Sequence, residues 1–220
     1  PSTQRILLTA FSDLLTVAET VNKAKIHRLM SKPWEREDLV AAVDFAQRQH
    51  DLLHENEQLR TLALTDSLTG VSNRRYFKIR MQSEFSRAQR FKRNLSLIMA
   101  DVDDFKKYND EFGHQKGDDI LRKVAQCLDS KKRAMDTVAR WGGEEFAIIL
   151  PEVEKSQAAE IAQRHLESVK SECGITLTMG VANFPLDASS SETLIESADI
   201  ALRTGKSHGK SQVLLYGEQS

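Results

Sequence analysis

Apolar residues in this chain follow two rhythms. Short apolar runs bounded by turn residues predict strands at Leu95-Ser96-Leu97-Ile98-Met99-Ala100, Thr137-Val138-Ala139, Ala147-Ile148-Ile149-Leu150, Ile175 to Ala182 and Val213-Leu214-Leu215-Tyr216. Between them, apolar positions recur every three or four residues. Phe77, Met81, Phe85, Ala88 and Phe91 predict one core-facing helix, and Ile120, Leu121, Val124 and Leu128 another. Ala158, Ile161, Ala162 and Leu166 predict a third, and Leu194 to Thr204 a fourth. A short helix from Phe105 to Phe112 is stopped by Gly113, and Gly117-Asp118 opens the next. The pair Gly142-Gly143 turns the middle two strands into a hairpin, since glycine enters a φ > 0 turn without a Cβ clash.

The first third of the chain reads differently. Ile6-Leu7-Leu8-Thr9-Ala10 and Ile26-His27-Arg28-Leu29-Met30 predict strands separated by an amphipathic stretch from Ser12 to about Lys25. Ser31-Lys32-Pro33 closes the second strand. A helix then starts near Trp34 to Asp38 and meets no breaker until about Thr65. This is a parallel α/β pattern with too few strands for a stable sheet. Beyond Gln47 the helix is too polar for a core. Phe45, Gln49, Leu52, Asn56, Leu59 and Ala63 make a weak heptad seam with Asn56 as a polar register marker, and a solvated linker is the other reading. A real seam would join two copies of the domain attached to its C-terminal end. The expected division is 1–50, a partial α/β unit; 51–64, a helical linker; and 65–220, the main domain. The order β-α-α-β-β-α-β-α-β in that domain predicts an α+β fold, a mostly antiparallel ferredoxin-like, palm-type sheet with helices on one face.

Composition narrows the setting. The chain has 220 residues, 40% hydrophobic and 29% charged, with a net charge of −1, so no bulk field argues for nucleic acid or an anionic membrane as partner. No apolar run approaches the roughly 20 residues that span a bilayer, and no signal-peptide pattern opens the chain. Cys127 and Cys173 lack metal-ligand spacing, and Cys127 on its helical pattern reads as a buried free thiol, which fits a reducing cytoplasm.

Two strand ends deliver acids to one sheet edge: Asp101-Val102-Asp103-Asp104 after the first long run, and Glu144-Glu145 after the glycine turn. Hard Mg²⁺ favours carboxylate and carbonyl oxygens and keeps substrate phosphates as further ligands. Asp101, Glu144 and the Val102 carbonyl suit such a site, with Lys106 in reach of a phosphate. Taken alone, an acidic strand end is also what a solvated loop looks like; the second carboxylate source is what favours metal.

Gly142-Gly143-Glu144-Glu145-Phe146 resembles the signature of the GGDEF family of diguanylate cyclases in its GGEEF form. Asp66-x-Leu68-Thr69-Gly70-x-x-Asn73-Arg74-Arg75 resembles the family's N-terminal motif. Asp101-x-Asp103-x-Phe105-Lys106-x-x-Asn109-x-x-x-Gly113-His114-x-x-Gly117-Asp118 resembles its central motif, and Gly180-Val181-Ala182 its later strand. The resemblance covers about residues 65 to 216. It implies a bacterial enzyme that condenses two GTP into cyclic dimeric GMP (c-di-GMP) and two pyrophosphates at the interface of a homodimer, with Mg²⁺ or Mn²⁺. It assigns Asp101, Val102, Glu144 and Glu145 to metal, and Glu144 and Asp101 to catalysis. Asn109 and Asp118 would read guanine. Lys106, Asp104, Phe105, Lys206 and Lys210 would hold phosphates. Arg133-x-x-Asp136 resembles the family's product-binding inhibitory site, with Arg164 as a further contact.

The C-terminal clamp departs from the family pattern Ala-Lys-x-x-Gly-Arg-Asn: here it reads Gly205-Lys206-Ser207-His208-Gly209-Lys210-Ser211, so Lys210 replaces the arginine fork. Arg203 stands where the family has tyrosine. A non-catalytic module that binds GTP or c-di-GMP is the alternative this departure favours. His114, Trp141 and Phe146 are expected to be structural. Upstream, Thr9-Ala10 and Lys32-Pro33 resemble the switch threonine and phosphate-pairing lysine of a response-regulator receiver domain. The acidic pair and phosphoacceptor aspartate of that family would precede Pro1, so a truncated receiver that is not phosphorylated as it stands is expected; an unrelated αβ cap is the other reading.

Overall fold

The computed structural model describes residues 5–9 and 28–218. The stretch expected to be amphipathic over 12–25 lies outside the described residues, as do Ala10, Ile26, His27 and the Asn56 side chain. Contacts divide the chain into two compact units, Pro1–Ala63 and Leu64–Ser220.

In the first unit, β1 (Ile6–Thr9) pairs in parallel with β2 (Arg28–Ser31), from Ile6 opposite Arg28 to Thr9 opposite Ser31. Helix α1 (Arg36–Leu64) comes next as one continuous element. Phe45, Leu52 and Leu59 along it are exposed in the single chain, which fits the solvated linker as well as the heptad seam.

The second unit is a six-stranded sheet in the order β3-β5-β6-β4-β7-β8. Its strands are β3 (Ser72–Asn73), β4 (Leu95–Val102), β5 (Thr137–Gly142), β6 (Glu145–Pro151), β7 (Leu177–Phe184) and β8 (Val213–Leu215). The four inner strands run antiparallel, while β3 and β8 add in parallel at the edges. The two-residue strand β3 has no apolar run to announce it. The mixed α+β architecture expected from the element order is present.

The helices, however, cover both faces of the sheet rather than one. Central strand β4 is buried at all eight positions, and a strand apolar on both sides needs a layer on each. Leu95, Leu97 and Met99 pack with Phe77 and Met81 of α2 (Arg74–Phe91) and with Leu194, Ala198 and Leu202 of α6 (Ser191–Ser207). On the opposite face, Ile98, Ala100 and Val102 pack with Ile120 and Val124 of α4 (His114–Ser130) and with Ala158 and Ala162 of α5 (Lys155–Cys173). Ser96, one of two polar residues in β4 with Asp101, donates to Val153 O at 2.8 Å and accepts from Asn183 Nδ2 at 2.8 Å. Gly180 brings β7 directly under α6: a Cβ there would lie 2.2 Å from Ala198 O and 2.2 Å from Leu202 N.

Two local expectations are corrected. Phe91 is 58% exposed, not core, because α2 ends there and Lys92 turns the chain away with a φ of 50°. Helix α4 starts at His114 rather than Gly117, since Gly113 closes α3 (Phe105–Phe112) and caps α4 at once with a φ of 84°. Cys127 is buried and free as expected. Burial, and secondarily Glu172, push its thiol up to about 11.

Candidate active site

The edge where β4 ends is also where the β5–β6 hairpin turns. Register places Asp101 opposite Glu145, and Val102 N donates to Glu144 O at 3.3 Å. The turn itself is Gly143-Glu144 rather than the glycine pair. Gly142 still pairs with Glu145 across a register shift after Arg140, and only Gly143 takes positive φ, at 52°. Glu144 therefore stands in the turn and Glu145 opens β6. Arg140 fastens this turn: its Nε donates to Gly143 O at 2.8 Å, and its Nη1 reaches Asp66 Oδ1 at 3.1 Å. That oxygen also accepts from Thr69 N at 3.0 Å and Thr69 Oγ1 at 2.7 Å. Burial works against the Asp66 charge, but these donors together hold its carboxyl below the usual range.

On the other side of β4, Asp104 adopts φ 55° and starts α3 with no side chain capping it. Uncapped first-turn N–H groups favour an anion. Asp101, Val102, Asp104, Phe105, Lys106, Glu144, Lys206 and Lys210 all line one open hollow of about 440 Å³. Both clamp lysines are already engaged. Lys206 Nζ lies 2.6 Å from Asp101 Oδ2, and Lys210 Nζ lies 2.8 Å from Asp104 Oδ1. Asp101 is 5% exposed. Burial raises its pKa despite the Lys206 ammonium, and burial followed by the Asp101 charge raises that of Glu145. The hydrogen bond from Lys210 lowers that of exposed Asp104.

Asn109 and Asp118 stand beside the hollow, not in its lining. Asn109 Oδ1 is buried without a hydrogen-bond partner. It fills the space over Gly117, where a Cβ would sit 1.8 Å from it. Asp118 is exposed on the next residue. Far along the sheet, Arg133 and Asp136 form a pair of their own. Arg133 Nη2 donates to Asp136 Oδ1 at 2.8 Å, Nε to Oδ2 at 3.1 Å and the main-chain N to Oδ2 at 2.8 Å. Arg164 is exposed on α5, next to buried His165. Phe146 is buried, and Trp141 packs edge-on against Phe77 at 5.2 Å under the Arg74 guanidinium at 4.2 Å, both structural as expected.

Among the described residues, no group of three or more histidines, cysteines and acids is arranged to hold a metal. The donor chemistry nonetheless suits a hard divalent ion. Asp101, Glu144, Glu145 and the Val102 carbonyl offer oxygens only, and Asp101 already holds a cation, the Lys206 ammonium.

Sequence reasoning gave no role to Asp103, Thr176, Thr178 or Ser211, which form a partly buried cluster around the Asp103 carboxylate at the wall of the hollow. Threonines at positions i and i+2 of a strand share one face, which is the signal that could have found them.

Residues 63–212 match the family described as "Diguanylate cyclase, GGDEF domain", and the chain belongs to that family. It is 33% identical to the response regulator PleD of Caulobacter vibrioides over 203 residues, 86% of this chain and 45% of PleD. To the diguanylate cyclase DosC of Escherichia coli K12 it is 36% identical over 160 residues, 69% of this chain and 35% of DosC. The chain thus spans less than half the length of these relatives. Among solved structures it resembles the coiled coil and GGDEF domain of DgcB from Caulobacter crescentus in complex with c-di-GMP. There the TM-score is 0.73 at 30% identity, over 80% of this chain and 98% of that one. The active GGEEF domain of a Vibrio cholerae diguanylate cyclase gives 0.62 at 30% identity, over 67% and 98%. Among the described residues no helix is long and apolar enough to cross a membrane.

Proposed function

We propose that this chain is a diguanylate cyclase that condenses two GTP into c-di-GMP. The observation that carries the reading is one hollow in which acids from two strand ends, an uncapped helix start and the lysines of α6 and its adjoining loop converge. Each protomer holds one GTP. Lys106, Lys206, Lys210 and the first-turn amides of α3 take the β- and γ-phosphates, and Asn109 with Asp118 reads the guanine edge. The two protomers face each other so that the 3′-oxygen of one GTP meets the α-phosphorus of the other. A bond forms between them, the bond to the β-phosphate oxygen breaks, and pyrophosphate leaves. Glu144, in the turn, accepts the hydroxyl proton; the second half repeats the step with roles exchanged. Mg²⁺ or Mn²⁺ held by Asp101, Val102, Glu144 and Glu145 would neutralise phosphate charge and acidify the hydroxyl.

Dimerisation is a requirement of this chemistry, since one active site holds only half of the reaction, and the α1 heptad seam is our candidate for holding the two copies together. Arg133 and Asp136, with Arg164, form the product-binding site that limits output. The parallel β1–β2 pair, with Thr9 and Lys32 at or beyond the strand ends, supports reading the first unit as a receiver remnant.

The test is purified protein with GTP and Mg²⁺ over a series of protein concentrations, scoring c-di-GMP and pyrophosphate. Product rising more steeply than linearly with protein, and abolished in a folded Glu144→Gln variant, is expected. GTP binding without product at any concentration would make the protein a non-catalytic nucleotide-binding module instead.

A further inference from the structure

We infer that Asp103 is a positioning residue for the phosphate end of the nucleotide, acting through the loop that carries Lys210; this rests on the reading of the hollow as a GTP site. Asp103 sits two residues beyond Asp101, and its role in the fold is the opposite one. Both line the hollow and both are 5% exposed, but where the Asp101 carboxylate is held by Lys206, that of Asp103 is taken up by three protein donors. Thr178 Oγ1 donates to Oδ1 at 2.6 Å, Thr176 Oγ1 to Oδ2 at 2.8 Å and the Ser211 main-chain N to Oδ2 at 3.0 Å. Ser211 N also reaches Thr178 Oγ1 at 3.1 Å. One carboxylate thereby joins the end of β4, strand β7 and the loop between α6 and β8.

That loop needs holding. Lys210 and Ser211 are consecutive non-glycine residues in the left-handed region, with φ of 63° and 50°, after Gly209 at 112°. Two side chains in this conformation persist only where the surroundings over-determine it. Lys210 N bonds back to Gly205 O at 3.2 Å from one side, and the Asp103 carboxylate with Thr178 Oγ1 fixes Ser211 from the other. Between those anchors, the strained backbone aims Lys210 Nζ at Asp104, the uncapped start of α3. A lysine is a point charge on a flexible stem, without the fork that lets arginine find its own geometry. Placement of Lys210 therefore depends on its backbone, and its backbone depends on Asp103. Asp103 touches no reacting atom itself.

The experiment is calorimetric titration of the full chain with GMP and with a GTP carrying an uncleavable methylene between its α- and β-phosphorus atoms (called GTP below), both with Mg²⁺, for the unsubstituted protein, Lys210→Met, Asp103→Asn and the double variant. An amide keeps one acceptor oxygen, so Asp103→Asn frees a donor and loosens Ser211. GTP affinity is expected to fall roughly tenfold, the scale of one lost hydrogen bond to a charged group, with GMP binding unchanged within about twofold. The double variant is expected to be no weaker than Lys210→Met alone, because both substitutions remove the same contact. Thr178→Val, which deletes one donor without a charge change, gives the same GTP-over-GMP signature if Asp103→Asn does not fold. Equal losses for GTP and GMP, or effects of Asp103→Asn and Lys210→Met that add in full, would overturn the inference. So would a Lys210→Met variant that binds GTP normally. GTP binding weakened by Lys210→Met but not by Asp103→Asn or Thr178→Val would sink it while leaving the GTP site intact. No GTP binding by the unsubstituted protein would remove both together.

Discussion

His165 gives the fold a measurable pH signature. The ring is 3% exposed on the inner side of α5, and its Nδ1 is buried without a partner. Burial, then the positive charges of Arg164 and Lys131, hold its pKa down from 6.5 to about 4, while Asp136 pulls weakly the other way. The folded imidazole therefore refuses a proton that the unfolded one binds between these values. The unfolded chain carries more protons there, so stability is full above about pH 6.5 and is lost as pH falls toward about 4. At about pH 5 an unfolded histidine is almost wholly charged and the folded one about one-tenth charged, which integrates to ~2 kcal/mol of lost stability. Urea unfolding followed by circular dichroism, at about pH 7.5 and pH 5, measures this against the carboxylate background when the same pair is run on His165→Gln. The unsubstituted protein should lose ~2 kcal/mol more than the variant between the two conditions. Equal losses would refute the argument, because they would mean that the ring titrates in the fold as it does in the unfolded chain.

Two further expectations concern packing and regulation. Gly180→Ala places a methyl group against the α6 backbone, with Ala198 O and Leu202 N each 2.2 Å away. The helix must move as a whole, at a cost of about 3 kcal/mol or more and a fall in Tm of roughly 10 °C by calorimetry; an unchanged Tm would contradict the close approach of β7 and α6. Arg133→Ala leaves Asp136 with the main-chain N–H at 2.8 Å. It should cost only about 1 kcal/mol in stability yet flatten the curve of initial rate against added c-di-GMP, and an unshifted inhibition curve would count against that pair as the product site.

What the chain disclosed about itself depended on whether the signal was local. Apolar runs and helical spacing are local, so β4, α2 and α5 were legible from Leu95 to Ala100, from Phe77 to Ala88 and from Ala158 to Leu166. The acids of the hollow were legible because Asp101 ends such a run and Glu144 follows the glycine pair that joins two others. The second helical layer was not: a strand buried on both sides and one buried on a single side look alike when Ser96 is the sole polar residue between Leu95 and Ala100. Strand β3 is two residues long and exists only through pairing with Ala139 and Arg140. Contacts such as Arg140 with Asp66, or Asp103 with Ser211, span 74 and 108 residues and leave no trace in spacing. The glycine pair announced a turn but not its register, because Gly142 keeps its place in the ladder and Glu144 enters the turn instead.

If the hollow takes a nucleoside triphosphate, as proposed, the pairing of both clamp lysines with carboxylates makes its entry an exchange reaction. Lys206 must leave Asp101 and Lys210 must leave Asp104 before either can serve a phosphate. The net electrostatic gain is the difference between two sets of ion pairs, a smaller quantity than either set alone. Modest affinity reached in this way carries selectivity with it: a ligand that replaces only one of the two carboxylates leaves the other lysine where it was. Under the proposed function the trade would also run backwards: departure of the pyrophosphate would return the Lys206 and Lys210 ammonium groups to their waiting carboxylates.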